Sequence, residues 1–237
     1  MKEHSVIFTS DEVRATLAGR KTQFRRPVKP QPPDYVEGAW NTESGKYDFW
    51  AVNGGMEVKC PYATYGEENE LWVREAWRIV SWYEGEPYTL QYKQDMSEGE
   101  DYSCGYDYDE DRYYQYAKEC NRDCEIARLE TDADGCYSFD ITNAPTRWRL
   151  AVHMPRWASR IQLSVKNVRV ERLQDITEED AKAEGVGRPS YDWGDGVTFI
   201  PTETTEFSKV WEEEYAKKGF GWDKNPWVWV IDFEVKK

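Results

Sequence analysis

From Trp227 to Val235 every odd-numbered residue is apolar, in the run Trp-Val-Trp-Val-Ile-Asp-Phe-Glu-Val that follows Pro226. Side chains along a strand alternate between two faces, so this segment is built to bury one face of a sheet and needs partner strands from elsewhere in the chain. Val6-Ile7-Phe8 is a short strand candidate near the other end. Leu71-Trp72-Val73 is a continuous apolar run of the kind buried on both faces. The two ends are therefore expected to supply one core. Ile161, Leu163 and Val165 alternate in one parity and Val168 and Val170 in the other, which predicts a bulge near Lys166-Asn167, as where a sheet curls towards a barrel.

Helix signals sit between these strands. Thr9 with Glu12 and Thr177 with Asp180 are spaced as capping boxes, and Gly19 and Gly185 supply the corresponding stops. Phe207, Val210, Trp211 and Tyr215 mark one face of a further helix, and another is expected near Tyr113 to Cys124. Pro27, Pro30, Pro32 and Pro33 impose an extended path after the first helix, and Asn53-Gly54-Gly55 is a turn. The fold class is α+β, read as a single domain over residues 1–237 with an insertion at about 80–146.

That insertion is where the charge lies. Residues 84–140 hold 17 Asp or Glu against 5 Lys or Arg, so a net charge of −14 leaves only −2 for the other 180 residues. Nine of the sixteen tyrosines fall in the same stretch, with few aliphatic side chains, a composition ill suited to forming a core alone. By contrast, residues 13–33 carry Arg14, Arg20, Lys21, Arg25, Arg26 and Lys29 and no acid. Residues 141–170 repeat the pattern with Arg147, Arg149, Arg156, Arg160, Lys166 and Arg169. On one face, the two segments would make a patch suited to phosphate.

No stretch approaches the ~18 apolar residues of a membrane span, and no signal peptide is evident, so a cytoplasmic setting without membrane partners is expected. Five cysteines in that setting are thiols or metal ligands rather than a disulfide framework. Cys104, Cys120, Cys124 and Cys136 all lie in the insertion and could hold zinc, although Cys-x3-Cys is looser than a zinc ribbon. Otherwise no cofactor is expected, and no glycine-rich phosphate loop, nucleophile elbow or zinc-protease helix is present.

Four segments in order carry a resemblance. They are Leu17-Ala-Gly-Arg-Lys-Thr22 with Arg25-Arg26, Gly66 to Glu75, His153 to Arg160 leading into Val168 to Asp175, and Asn225-Pro-Trp-Val-Trp-Val230. Together they resemble the ASCH-domain proteins of phages and prophages, in the PUA-like superfamily. The resemblance implies a small PUA-like β-barrel flanked by helices, with a cleft for RNA or a nucleoside beside the Gly-Arg-Lys-Thr turn. Among relatives, a small amidohydrolase acting on acetylated cytidine uses a lysine, a second threonine two residues after the motif and a later glutamate. Here the lysine falls on Lys21, the glutamate on Glu184 and the second threonine on Phe24, which cannot attack a carbonyl. Thr22 or a water is the substitute nucleophile if the chain is an enzyme.

The favoured reading is a module binding RNA, single-stranded nucleic acid or a nucleoside. In it Arg20, Lys21, Arg25, Arg26, Arg156 and Arg160 meet phosphate and Phe24 offers a stacking ring. The alternatives are a hydrolase on the same site, removing acetyl from acetylated cytidine or cutting RNA, and a phage antagonist whose acidic insertion occupies a host protein.

Overall fold

In a computed structural model, residues 3–34, 36–41, 47–50, 58–59, 69–83, 86–93, 103–105, 110–187, 191–192, 198–199 and 201–236 are described. In chain order the elements begin with β1 (Glu3–Ile7), α1 (Ser10–Leu17), β2 (Gln23–Pro27), β3 (Gly38–Asn41), β4 (Tyr47–Trp50) and β5 (Val58–Lys59). β6 (Glu70–Arg74), β7 (Trp77–Ser81), β8 (Tyr88–Tyr92), β9 (Ser103–Gly105) and α2 (Glu110–Ile126) follow. The chain closes with β10 (Gln162–Arg172), α3 (Glu178–Ala183), β11 (Tyr191–Asp192), β12 (Thr198–Phe199), α4 (Glu203–Tyr215) and β13 (Trp227–Val235).

The largest sheet has five strands in the order β1-β6-β10-β13-β2, beside smaller sheets β3-β4-β5, β7-β8-β9 and β11-β12. The chain is thus a mixed α and β protein. Among the described residues the five-stranded sheet stays open, with β1 and β2 at its two ends, so the closed barrel expected from the resemblance is not what these strands form. β7, β8 and β9 pair with one another in a sheet of their own. The Asn53-Gly54-Gly55 turn lies outside the described residues.

The chain divides into two compact units. The first comprises Met1–His4, Arg14–Leu71 and Leu163–Lys237. Here the closing strand is central as its alternation demands, with β10 antiparallel on one side and β2 on the other. The bulge falls where the change of parity puts it: Val165 faces Phe233 and Asn167 faces Asp232, which leaves Lys166 as the extra residue. One face of β13, through Val228 and Val230, packs with Leu173, Ile176, Ala181, Phe207, Trp211 and Tyr215 in a buried cluster. Of the four residues that mark the α4 face, only Val210 is exposed. Thr177 and Asp180 form the expected reciprocal cap at the start of α3.

The second unit, Ser5–Val13 and Trp72–Gln162, contains the acidic stretch and has a core of its own. Its buried residues are largely aromatic: Trp77, Tyr88, Tyr92 and Tyr113, with Ile79, Leu90, Cys120, Met154 and Ala158. Tyr88 stacks on Tyr113 at 4.5 Å and on Trp157 at 5.6 Å. The phenol hydroxyls of Tyr88 and Tyr92 donate to the carbonyls of Tyr113 and Ala158, so the rings are buried with their polar ends satisfied. Tyrosines do here what the scarce aliphatic side chains cannot, and the core draws Trp77, Ile79, Met154 and Ala158 from outside residues 80–146.

Of the four candidate metal ligands, Cys120 and Cys124 lie one turn apart on α2 and are buried, Cys136 is half-buried, and the Cys104 side chain lies outside the described residues. No group of three or more His, Cys, Asp or Glu side chains is placed to hold a metal among the described residues. Burial pushes the Cys120 thiol up to about 12 and the Cys124 thiol up to about 11. Because the thiolate is the nucleophile, alkylation of both at pH 8 is expected to be far slower in the folded protein than in denaturant. Peptide mapping after timed iodoacetamide treatment checks this, and rapid labelling of Cys120 would contradict it. Among the described residues no helix is long and apolar enough to cross a membrane.

Candidate functional site

The basic segment begins where α1 ends. Gly19 takes a left-handed φ of 69°, and the amides of Arg20 and Lys21 both donate to the Ala15 carbonyl, at 2.8 and 3.0 Å. This turn directs Lys21 inward. Its side chain, 2 % exposed, donates from Nζ to Glu184 Oε2 at 2.8 Å and to the Glu184 carbonyl at 2.9 Å. Glu184 is the C-cap of α3, so one ammonium satisfies both a buried carboxylate and a terminal carbonyl at the negative end of a helix.

Further along, within β2, Arg25 is fully buried and holds three carboxylates. It reaches Glu184 Oε1 at 3.0 Å, Glu171 Oε1 at 2.6 Å and Asp180 Oδ2 at 3.4 Å, and donates to the side-chain oxygen of Gln23. Arg169 on β10 continues the network to Glu171 at 3.1 Å, Asp180 at 2.8 Å and Asp232 at 3.2 Å. Gln23 bridges Asp180 and Asp232 through its amide nitrogen. The cluster thus sets Lys21, Arg25 and Arg169 against Glu171, Asp180, Glu184 and Asp232 and carries one more negative charge than positive.

Burial alone pushes the Asp180 carboxyl up. The Gln23 hydrogen bond and the Arg169 and Arg25 guanidiniums outweigh burial and hold Asp180 below its ordinary value of 3.8. A carboxyl depressed in the folded state binds fewer protons than in the unfolded chain, so its stabilisation is complete above the ordinary carboxylate range. It is lost as pH falls through the folded value. Asp180→Asn, which preserves the size of the side chain, is expected to flatten the acid limb of stability against pH below about 4. Urea midpoints taken across that range measure the effect, and an unchanged acid limb would contradict it.

Phe24 is fully buried, with its ring 5.8 Å from Phe233 and the Arg26 guanidinium over it at 5.1 Å. It offers no open face on which a base could stack, because its place on β2 opposite Ile231 turns it into the sheet core. Lys21 and Arg25 likewise face the protein's own carboxylates rather than solvent. Arg20 is exposed and donates to the Gly185 carbonyl at 3.2 Å, Arg26 is half-buried, and Lys29 is exposed beside the Phe220 ring. Thr22 is exposed, and its backbone is pinned by the Ala183 carbonyl and the Phe233 amide.

Arg156 and Arg160 belong to the second unit. Arg160 forms a two-pronged pair with the buried Glu75 at 3.1 and 3.2 Å and lies 4.0 Å over the Tyr92 ring. Arg156 is half-buried beside Trp72. Sequence patterns did not single out Arg78, buried and bonded to Gln91 and to the carbonyls of Ala144 and Thr142. Nothing in a Trp-Arg-Ile strand distinguishes such an arginine from an exposed one.

The site is therefore a buried ionic clamp within a segment that has Arg20 and Lys29 exposed at its two ends. No protein-family model, curated protein or solved structure matches the chain.

Proposed function

We propose that the protein binds single-stranded nucleic acid or a nucleoside along the outer side of the Arg20–Lys29 segment, in an opened relative of the PUA-like barrel. The observation that carries this reading is the division of labour within one segment. Lys21 and Arg25 are anchored inward, while Arg20 in the turn before β2 and Lys29 in the bend after it stand exposed. Cations fixed to a frame lose less freedom on meeting phosphate than cations on a loose loop. The ASCH-like reading rests on the four sequence segments and on the bulge at Lys166.

Fluorescence anisotropy with a labelled single-stranded oligonucleotide tests it, at salt from about 50 to 200 mM. Binding should weaken with salt, and Arg20→Ala with Lys29→Ala should lower the log–log slope by about 1.4, at ~0.7 for each phosphate no longer neutralised. Salt-independent binding, or a double variant that binds like the parent, would overturn it.

One contact favours a second reading, hydrolysis of an acyl group from acetylated cytidine or of RNA. The Lys21–Glu184 pair at 2.8 Å lies next in sequence to the exposed Thr22. Acid–base chemistry uses such a pair. Incubation of the protein with each substrate, with and without chelator, decides it. Turnover that disappears in a folded Glu184→Gln variant supports hydrolysis, and no turnover removes it.

A further inference from the structure

The second unit contains a cleft of about 370 Å³. Its walls are Val80 to Tyr83 at the end of β7, Asn121 on α2, Gly135 to Phe139 and Ile141. Four of the lining side chains are aromatic, Trp82, Tyr83, Tyr137 and Phe139, and none is charged. The Trp82 indole is held in place: it donates to Asn121 Oδ1 at 2.9 Å and packs 6.0 Å from the Phe139 ring at a tilt of 31°. Tyr83 stands 55 % exposed beside it.

The stretch that supplies Asn121 and the 135–139 wall is acidic. Residues 119–140 carry seven Asp or Glu against two Arg, with Asp123 and Glu119 tied to Arg147 and Arg149. Burial, and then the Glu125 carboxylate, hold the Tyr137 phenol proton more tightly than usual. A neutral aromatic lining in a negative field disfavours phosphate and carboxylate. It suits a weakly hydrated cation that settles on ring faces without a direct ion pair. Alkylated ammonium fits that description, whereas a compact primary ammonium holds its water more tightly. The volume is at the small end of the range for small-molecule sites.

We propose that this cleft binds a small quaternary ammonium compound on the rings of Trp82, Tyr83 and Phe139, with Glu125, one turn beyond Asn121 on α2, adding to the attraction. This goes beyond the nucleic-acid reading and stands on residues that reading does not use.

Calorimetric titration of the full-length protein with choline tests it, alongside the neutral isostere in which a tert-butyl group replaces trimethylammonium. Choline should bind saturably and about tenfold or more tighter than the isostere, the share a desolvated cation–π contact supplies. Trp82→Ala should abolish binding. Tyr83→Ala removes a ring already largely in solvent and guards against a folding defect; it should weaken choline severalfold. Glu125→Gln should weaken it less and reduce its salt dependence. No saturable binding of choline, equal affinity for the isostere, or unchanged affinity in both ring variants would overturn the proposal. So would binding of a trimethyl-lysine peptide without binding of choline, which would reassign the cleft to a protein tail.

Discussion

Arg25→Ala is expected to destabilise the protein by about 3–5 kcal/mol, the cost of stranding buried carboxylates whose partner has been removed. The guanidinium is fully buried, and the three carboxylates it serves are 5 to 19 % exposed, so water cannot take its place without opening the clamp. Against a total stability of about 5–15 kcal/mol this is a large fraction, and it corresponds to a fall in Tm of roughly 6–20 °C. Urea unfolding of the variant measures the loss. The deficit should narrow at low pH, where stranded carboxylates take up protons. A loss below about 1 kcal/mol, the scale of an exposed pair, would show that the clamp is not buried as described.

Gly185→Ala should cost about 2–5 kcal/mol through two separable causes. Gly185 has φ of 80°, and a left-handed conformation costs an alanine roughly 1–2 kcal/mol. The added Cβ would also lie 2.8 Å from the Cβ atoms of both Ala15 and Lys21 and 3.3 Å from the Lys21 Cα. Those atoms are on or next to the backbone and cannot swing aside, so overpacking adds about 1–3 kcal/mol. Gly19→Ala is the matched control: φ is 69°, but nothing lies within 4 Å of the new Cβ. It should show the conformational penalty alone. Equal losses at the two glycines would contradict the close approach of α3 to Lys21.

Both expectations depend on contacts distant in sequence, and that separates what was legible in the chain from what was not. The closing strand, the bulge at Lys166, the caps at Thr9 and Thr177 and the stops at Gly19 and Gly185 are local patterns, and the structure has each of them. The pairing of Lys21 with Glu184 was also within reach, because a carboxylate at a helix C-terminus calls for a cation. The Arg25 partners Glu171 and Asp180 were not. They depend on β13 lying between β2 and β10, a register no local spacing encodes. For the same reason a basic segment read as a phosphate surface turned some of its cations inward. The aromatic core of the second unit was not legible: counting aliphatic side chains in the acidic stretch misses Tyr88, Tyr92 and Tyr113, which bury themselves with Trp77 from outside it.

The central claim is that Lys21 serves the fold by holding Glu184, rather than waiting for a ligand. A double-mutant cycle with Lys21→Met, Glu184→Gln and their combination, followed by urea unfolding, isolates that pair. A favourable coupling of about 1–3 kcal/mol is the result this structure requires. Additive losses, with a coupling indistinguishable from zero, would mean that the two charges do not meet and that the clamp does not exist.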